Sequence, residues 1–140
     1  MRPIVHLCVP CEGKGVVGII HKFEGQFDWD GVSAKQYPND RARDVIKKIL
    51  IGAEDGAHNF EIRYFEVAPG GHTSFDKHAH DHGVMVLRGK GQVLLGKEKY
   101  AVGFGDTIYI GPFEEHQFEN GDDQPFGFIC VSPARIENVY

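Results

Sequence analysis

Four of the chain's eight histidines fall within eleven residues, in the run Gly70-Gly71-His72-Thr73-Ser74-Phe75-Asp76-Lys77-His78-Ala79-His80-Asp81-His82-Gly83. Imidazole nitrogen suits borderline ions such as Zn, Fe, Cu and Ni, and a nearby carboxylate such as Asp76 shifts the preference toward Mn or Fe. In an extended chain, residues two apart project to the same side, so rings at positions 78, 80 and 82 can converge on one point inside a closed sheet. The bland alternative for this run taken alone is a solvated, pH-sensitive loop. A second stretch argues against it: Gly105-Asp106-Thr107-Ile108-Tyr109-Ile110-Gly111-Pro112-Phe113-Glu114-Glu115-His116-Gln117-Phe118-Glu119-Asn120 places another histidine in an ordered, glycine-bounded context. The expectation is one divalent metal ion held by histidines. Three or four protein ligands leave coordination positions open, which marks a catalytic or ligand-binding ion and not a closed structural zinc.

Short β segments separated by turn residues must carry these side chains. From residue 59 onward the strands are expected at Asn59–Val67, His82–Leu87, Gln92–Leu95, Lys99–Val102, Thr107–Ile110, His116–Glu119 and Phe126–Val131, with glycines at nearly every break. The first 58 residues are less legible. Val16–Phe23 reads as a strand, and Phe27–Tyr37 as a polar connector holding Trp29. Asp40–Leu50 has apolar residues at 42, 45, 46, 49 and 50 with Asn39 or Asp40 available as a cap, so helix and buried strand both fit. The expected organisation is one domain: an N-terminal strand-containing extension, 1–58, and a β-barrel, 59–140.

Composition narrows the partners. With 140 residues, 41% hydrophobic and 25% charged, the chain is an ordinary globular domain. A formal net charge of −5 and the lack of any Lys/Arg stripe argue against nucleic acid as a partner. No apolar run approaches the ~20 residues that span a bilayer, and the first residues lack the apolar stretch of a secretory signal, so no membrane role and a cytoplasmic location are expected. Three cysteines, Cys8, Cys11 and Cys130, do not make a disulfide framework. Cys8 and Cys11 have the spacing of a redox pair or of half a zinc site, but no second Cys/His pair completes the latter, and two unremarkable thiols are expected.

The two histidine stretches resemble the paired motifs of the cupin superfamily. The first such motif runs Gly, five residues, His-x-His, three or four residues, Glu, six residues, Gly; Gly70, Asp76, His78, His82 and Gly89 fall on those spacings without a gap. Asp76 stands where the first histidine is expected, and His82 where the glutamate is expected. The second motif runs Gly, five residues, Pro-x-Gly, two residues, His, three residues, Asn, and Gly105, His116 and Asn120 match it. Its middle departs: Gly111 replaces the proline, Pro112 is displaced by one, and Phe113 replaces the glycine. The resemblance covers residues 59–132.

It implies an all-β fold, the double-stranded β-helix or jelly-roll barrel, with metal ligands at His78, His82 and His116. A fourth position is contested between Asp76 and His80, and His72 is read as a surface residue on the glycine turn. It further implies a small cupin enzyme of dioxygenase, decarboxylase or isomerase type, acting on an oxygen-rich metabolite chelated to one divalent ion, Fe, Mn, Zn, Ni or Cu. A non-catalytic module that binds a small molecule or metal is the alternative, since the fold hosts both. The resemblance also implies a homodimer. Tyr64, Phe104, Tyr109, Phe118, Phe126 and Phe128 are candidates for an apolar pocket wall or for plain core. Glu114 and Glu115 are expected at the solvated rim.

Overall fold

The computed structural model describes residues 6–7, 18–37 and 40–134, and the chain divides into two compact units, Met1–Ser33 and Ala34–Tyr140. Cys8, Cys11 and the first two residues of the expected Val16–Phe23 strand lie outside the described residues. In the first unit, β1 (His6–Leu7) pairs antiparallel with β2 (Ile19–Ile20), and β3 (Phe23–Gly25) with β4 (Asp28–Trp29). The β3–β4 turn places Gln26 and Phe27 at φ 52° and 56°, the left-handed pair that a two-residue hairpin needs to match strand twist. The Phe23 ring meets both Phe27 and Trp29, at centroid distances of 5.9 and 5.3 Å.

The second unit is one nine-stranded sheet, antiparallel throughout. Its strands are β5 (Ala34–Gln36), β6 (Arg43–Ile51), β7 (Phe60–His72), β8 (His82–Arg88), β9 (Lys90–Leu95), β10 (Glu98–Gly103), β11 (Thr107–Ile110), β12 (His116–Glu119) and β13 (Phe126–Pro133). The main path runs β10-β9-β12-β7-β13-β8-β11, and β6 pairs with both β5 and β7. The all-β expectation therefore holds. β5 and β6, which the sequence places within 1–58, belong to this sheet.

A period of two sorts each strand into an inner and an outer face. On β8, His82, Val84 and Val86 are buried while Gly83 and Met85 are exposed; on β13, Phe126, Phe128, Cys130 and Ser132 are buried. Those inner faces make the core with Phe65, Val67, Val93, Ile110 and Phe118. Phe128 stacks on Phe118 at 4.2 Å and on Phe65 at 5.6 Å. Each such ring contributes roughly 1.5–3 kcal/mol on burial, so the core needs no metal to close.

Asp40–Leu50 resolves as strand and not helix. Asp44 sits at φ 53° and the β6–β7 register shifts at Arg43/Val45 and again at Ile49/Ile51, so two bulges break the strict alternation. β7 also bends, at Gly70 with φ 80°, where its pairing passes from β13 at Val67 to β12 at His72. Asn120 locks this handover: its buried amide donates to the carbonyls of Val67 and Gln124 at 2.9 and 2.8 Å. The asparagine that ends the second motif is a latch between strands.

Candidate metal centre

His82 is the first residue of β8 and His116 the first of β12, so both inherit inward directions from the sheet. His78 arrives differently, from the loop at residues 73–81. That loop is tied down by the backbone: Asp76 and His116 exchange N–H···O bonds at 2.9 Å, and the Phe113 N–H donates to the His78 carbonyl at 2.7 Å. Ligand nitrogens of His78, His82 and His116 lie within 4.8 Å of one another, and the Nε2 atoms of His78 and His82 are 2.8 Å apart.

Hydrogen bonding decides which nitrogen each ring offers. Nδ1 of His78 lies 2.8 Å from the His80 carbonyl, and Nδ1 of His116 lies 2.8 Å from the Glu114 carbonyl. A carbonyl only accepts, so both rings carry their proton on Nδ1 and turn an Nε2 lone pair inward. Nδ1 of His82 lies 3.3 Å from the Cys130 sulfur. Burial pushes His82 down to about 3, reinforced by His78 and Arg63. Burial also lowers His116, partly opposed by its bond to Glu114. Both rings are therefore neutral near pH 7, the form a metal requires. Nitrogens bound at about 2.0–2.1 Å to one ion sit roughly 3 Å from each other; the His78–His82 pair is at that separation, and the trio, all within 4.8 Å, is a donor set that could hold one ion.

The other histidines and Asp76 occupy defined places around the triad. The His80 ring stacks flat on His78, 3.9 Å away and 2° from parallel, outside the converging trio. Asp76 lines the same cavity, but its Oδ2 accepts the Ser74 hydroxyl at 2.6 Å and its Oδ1 lies 3.7 Å from Arg41. His72, expected at the surface, is half-buried beside the Thr73 carbonyl and Gln117. Residues 78–81 are loop and not strand, so the period-two argument for rings 78, 80 and 82 does not operate there.

The altered second motif has a visible consequence. Phe113, in the glycine position, adopts φ 59° with its ring 62% exposed. Glu114 is more than a solvated rim residue: its carboxylate accepts the Gly111 N–H at 3.0 Å while its carbonyl fixes His116.

A cavity of about 190 Å³ opens onto the triad. Its lining combines apolar Phe65, Ile110, Phe118 and Phe128 with Tyr37, Arg63, Thr73 and Cys130. Of the aromatic candidates, Phe118 and Phe128 line it, Tyr64 and Phe126 are fully buried elsewhere, and Phe104 and Tyr109 are 77% and 65% exposed. Arg63 and Cys130 were not singled out from sequence. Their signal is the alternation Glu61, Arg63, Phe65, Val67 and Phe126, Phe128, Cys130, which puts both on inner faces.

Residues 63–132, half the chain, match the cupin domain family, over the stretch that carries both motifs. The chain belongs to the cupin family. It is 36% identical over 115 residues to 1-methylthio-D-xylulose 5-phosphate methylsulfurylase of Rhodospirillum rubrum, covering 80% of this chain and 72% of that protein. A crystal structure of a cupin-2 domain from Rhodospirillum rubrum is 35% identical with a TM-score of 0.72, covering 85% of this chain and 80% of the other. The polyketide cyclase RemF from Streptomyces resistomycificus is 32% identical with a TM-score of 0.71, covering 79% and 81%. The curled nine-stranded sheet is thus the barrel of a cupin. Among the described residues, no helix is long and apolar enough to cross a membrane.

Proposed function

We propose that this cupin binds one divalent metal ion through Nε2 of His78, His82 and His116 and acts on a small oxygen-rich metabolite that completes the ion's coordination from the cavity. The observation that carries this reading is the convergence of three imidazoles, two of them anchored at Nδ1 by carbonyls, on a 190 Å³ cavity that all three line. A bound Fe, Mn, Zn, Ni or Cu ion would supply Lewis acidity and, for the redox-active members, dioxygen chemistry. The protein's own part is to exclude water with Phe65, Phe118 and Phe128 and to present polar groups from Tyr37, Thr73 and Arg63 in the same cavity.

A cavity of this size admits a ligand of about ten heavy atoms, in keeping with a small chelating metabolite. The named relatives act in different reactions, a methylsulfurylase and a polyketide cyclase, so kinship selects no one reaction for this chain.

Elemental analysis of the purified protein beside its His82→Ala variant tests the centre. One equivalent of a divalent metal in the wild type and background in the variant is the expected result. Equal metal in both, or none in either, would sink the proposal. Oxygen-uptake screening against enolic and hydroxy-acid substrates then separates dioxygenases, which consume oxygen, from isomerases and decarboxylases, which do not.

A further inference from the structure

Two of the three converging imidazoles give their Nδ1–H to a backbone carbonyl, an acceptor that no side-chain substitution removes. His82 has the Cys130 sulfur instead, 3.3 Å from its Nδ1. Cys130 sits on β13 between Arg63 of β7 and Val84 of β8, on the face that His82 also shares. Its sulfur receives an N–H from Arg63 at 3.4 Å. That guanidinium is itself held: its side chain is 8% exposed, its centre lies 5.1 Å above the Phe65 ring, and its Nε is 3.4 Å from Glu61 without a hydrogen-bond partner.

The choice of sulfur has a physical consequence. His78 carries its proton on Nδ1, so its Nε2 is a lone pair, and it faces Nε2 of His82 at 2.8 Å. In the metal-free protein that contact keeps the His82 proton on Nε2, the atom that must be bare to bind a metal. Nδ1 of His82 is then an acceptor, and the Cys130 S–H serves it. When a metal takes Nε2, the His82 proton must reside on Nδ1, and the same sulfur must now accept it. A carbonyl satisfies only the second arrangement. A thiol satisfies both, donating in one and accepting in the other.

We propose that Cys130, fixed by Arg63, is the positioning residue for His82: it holds the ring in both tautomers and presents Nε2 to the metal. The proposal rests on the metal centre described above and adds a residue outside the family motifs to it.

The test titrates metal-free protein with Co(II) against a chelating dye, for wild type, Cys130→Val and Cys130→Ser. Valine removes the hydrogen bonds and adds one methyl group; serine keeps both donor and acceptor. Cys130→Val should bind Co(II) about 10–100-fold more weakly, the usual effect of losing a partner behind a ligating histidine, and Cys130→Ser should stay within about threefold of wild type. Cys130→Val also leaves Arg63 and His82 without the sulfur, so metal-free melting should fall; titrating at a temperature where melting shows every variant folded separates positioning from folding. In Zn(II)-loaded protein with ¹⁵N-labelled histidine, the His82 Nδ1–H should be visible in wild type and Cys130→Ser and lost to exchange in Cys130→Val. Wild-type Co(II) affinity in Cys130→Val, or a serine variant as weak as the valine one, overturns the proposal alone. A wild type that binds no Co(II) overturns the metal centre and this proposal together.

Discussion

His82 and His116 open strands, whereas His78, His80 and Asp76 ride on a loop between β7 and β8. The strand-borne rings are 7% and 6% exposed, and their directions follow from ladders that extend across the sheet. The loop-borne ring is half-buried and is placed by a few local bonds: Phe113 to its carbonyl, Asp76 with His116, and its own Nδ1 to His80. A metal centre assembled this way has two rigid ligands and one that closes over them. Losing a rigid ligand should damage both binding and the core; losing the loop-borne ligand should damage binding with a smaller cost to stability.

The largest effect expected is therefore metal loss in His82→Ala and His116→Ala, beyond the 10–100-fold that outer partners cost, with a drop in metal-free stability of about 1–3 kcal/mol from the vacated buried site. His78→Ala should lose metal comparably but lose less metal-free stability than either, since its ring is only half-buried. Calorimetry of the metal-free variants beside metal titrations checks both. Equal destabilisation by all three would erase the distinction between strand and loop.

Acid should act through the rigid pair next. Burial holds His82 near 3 and lowers His116, against about 6.5 for the unfolded chain. Between these values the unfolded state binds more protons than the folded one, so metal-free stability is full above about pH 6.5 and is lost as pH falls toward 3. Denaturant midpoints across that range measure it. A His82→Gln variant should show a shallower decline, and an unchanged slope would remove His82 from the account.

The fourth-ligand question becomes a smaller test of the loop. Asp76 is engaged by Ser74, and His80 supports His78 through a stacked ring and a backbone carbonyl. Asp76→Asn and His80→Ala should each weaken metal binding by less than about tenfold, below the range for a lost ligand partner, since the carbonyl survives in His80→Ala. A loss in either as large as that in His82→Ala would make that residue a ligand.

The same contrast governs what could be read from sequence. Thr107–Ile110 and His116–Glu119 were legible to the residue because clean alternation between glycines leaves one interpretation. Arg43–Ile51 was not, because its two bulges shift the apolar positions from a spacing of two toward that of a helix. His78, His82 and His116 were found through motif spacing. Arg63 and Cys130 are 67 positions apart and meet only through the β7–β13 ladder, a long-range register that no local pattern carries. The flat stacking of His80 is likewise a loop conformation, set by the bonds that hold residues 73–81 and not by periodicity.

The smallest effect concerns the turn that closes the loop over the site. Phe113 holds φ 59° where the family motif has glycine, a conformation that costs a non-glycine residue roughly 1–2 kcal/mol. Its ring is largely exposed, so little packing offsets that cost, while in this conformation its N–H donates to the His78 carbonyl. Phe113→Gly removes the side-chain clash but adds backbone freedom to the unfolded chain, which takes back roughly 0.5–1 kcal/mol. The net expectation is a gain of up to about 1 kcal/mol in thermal or denaturant unfolding, with metal affinity unchanged. A loss of stability would mean that the exposed ring contributes contacts worth more than the strain. A loss of metal affinity without a loss of stability would show that the rigidity of Phe113, and not only its N–H, holds His78 in place.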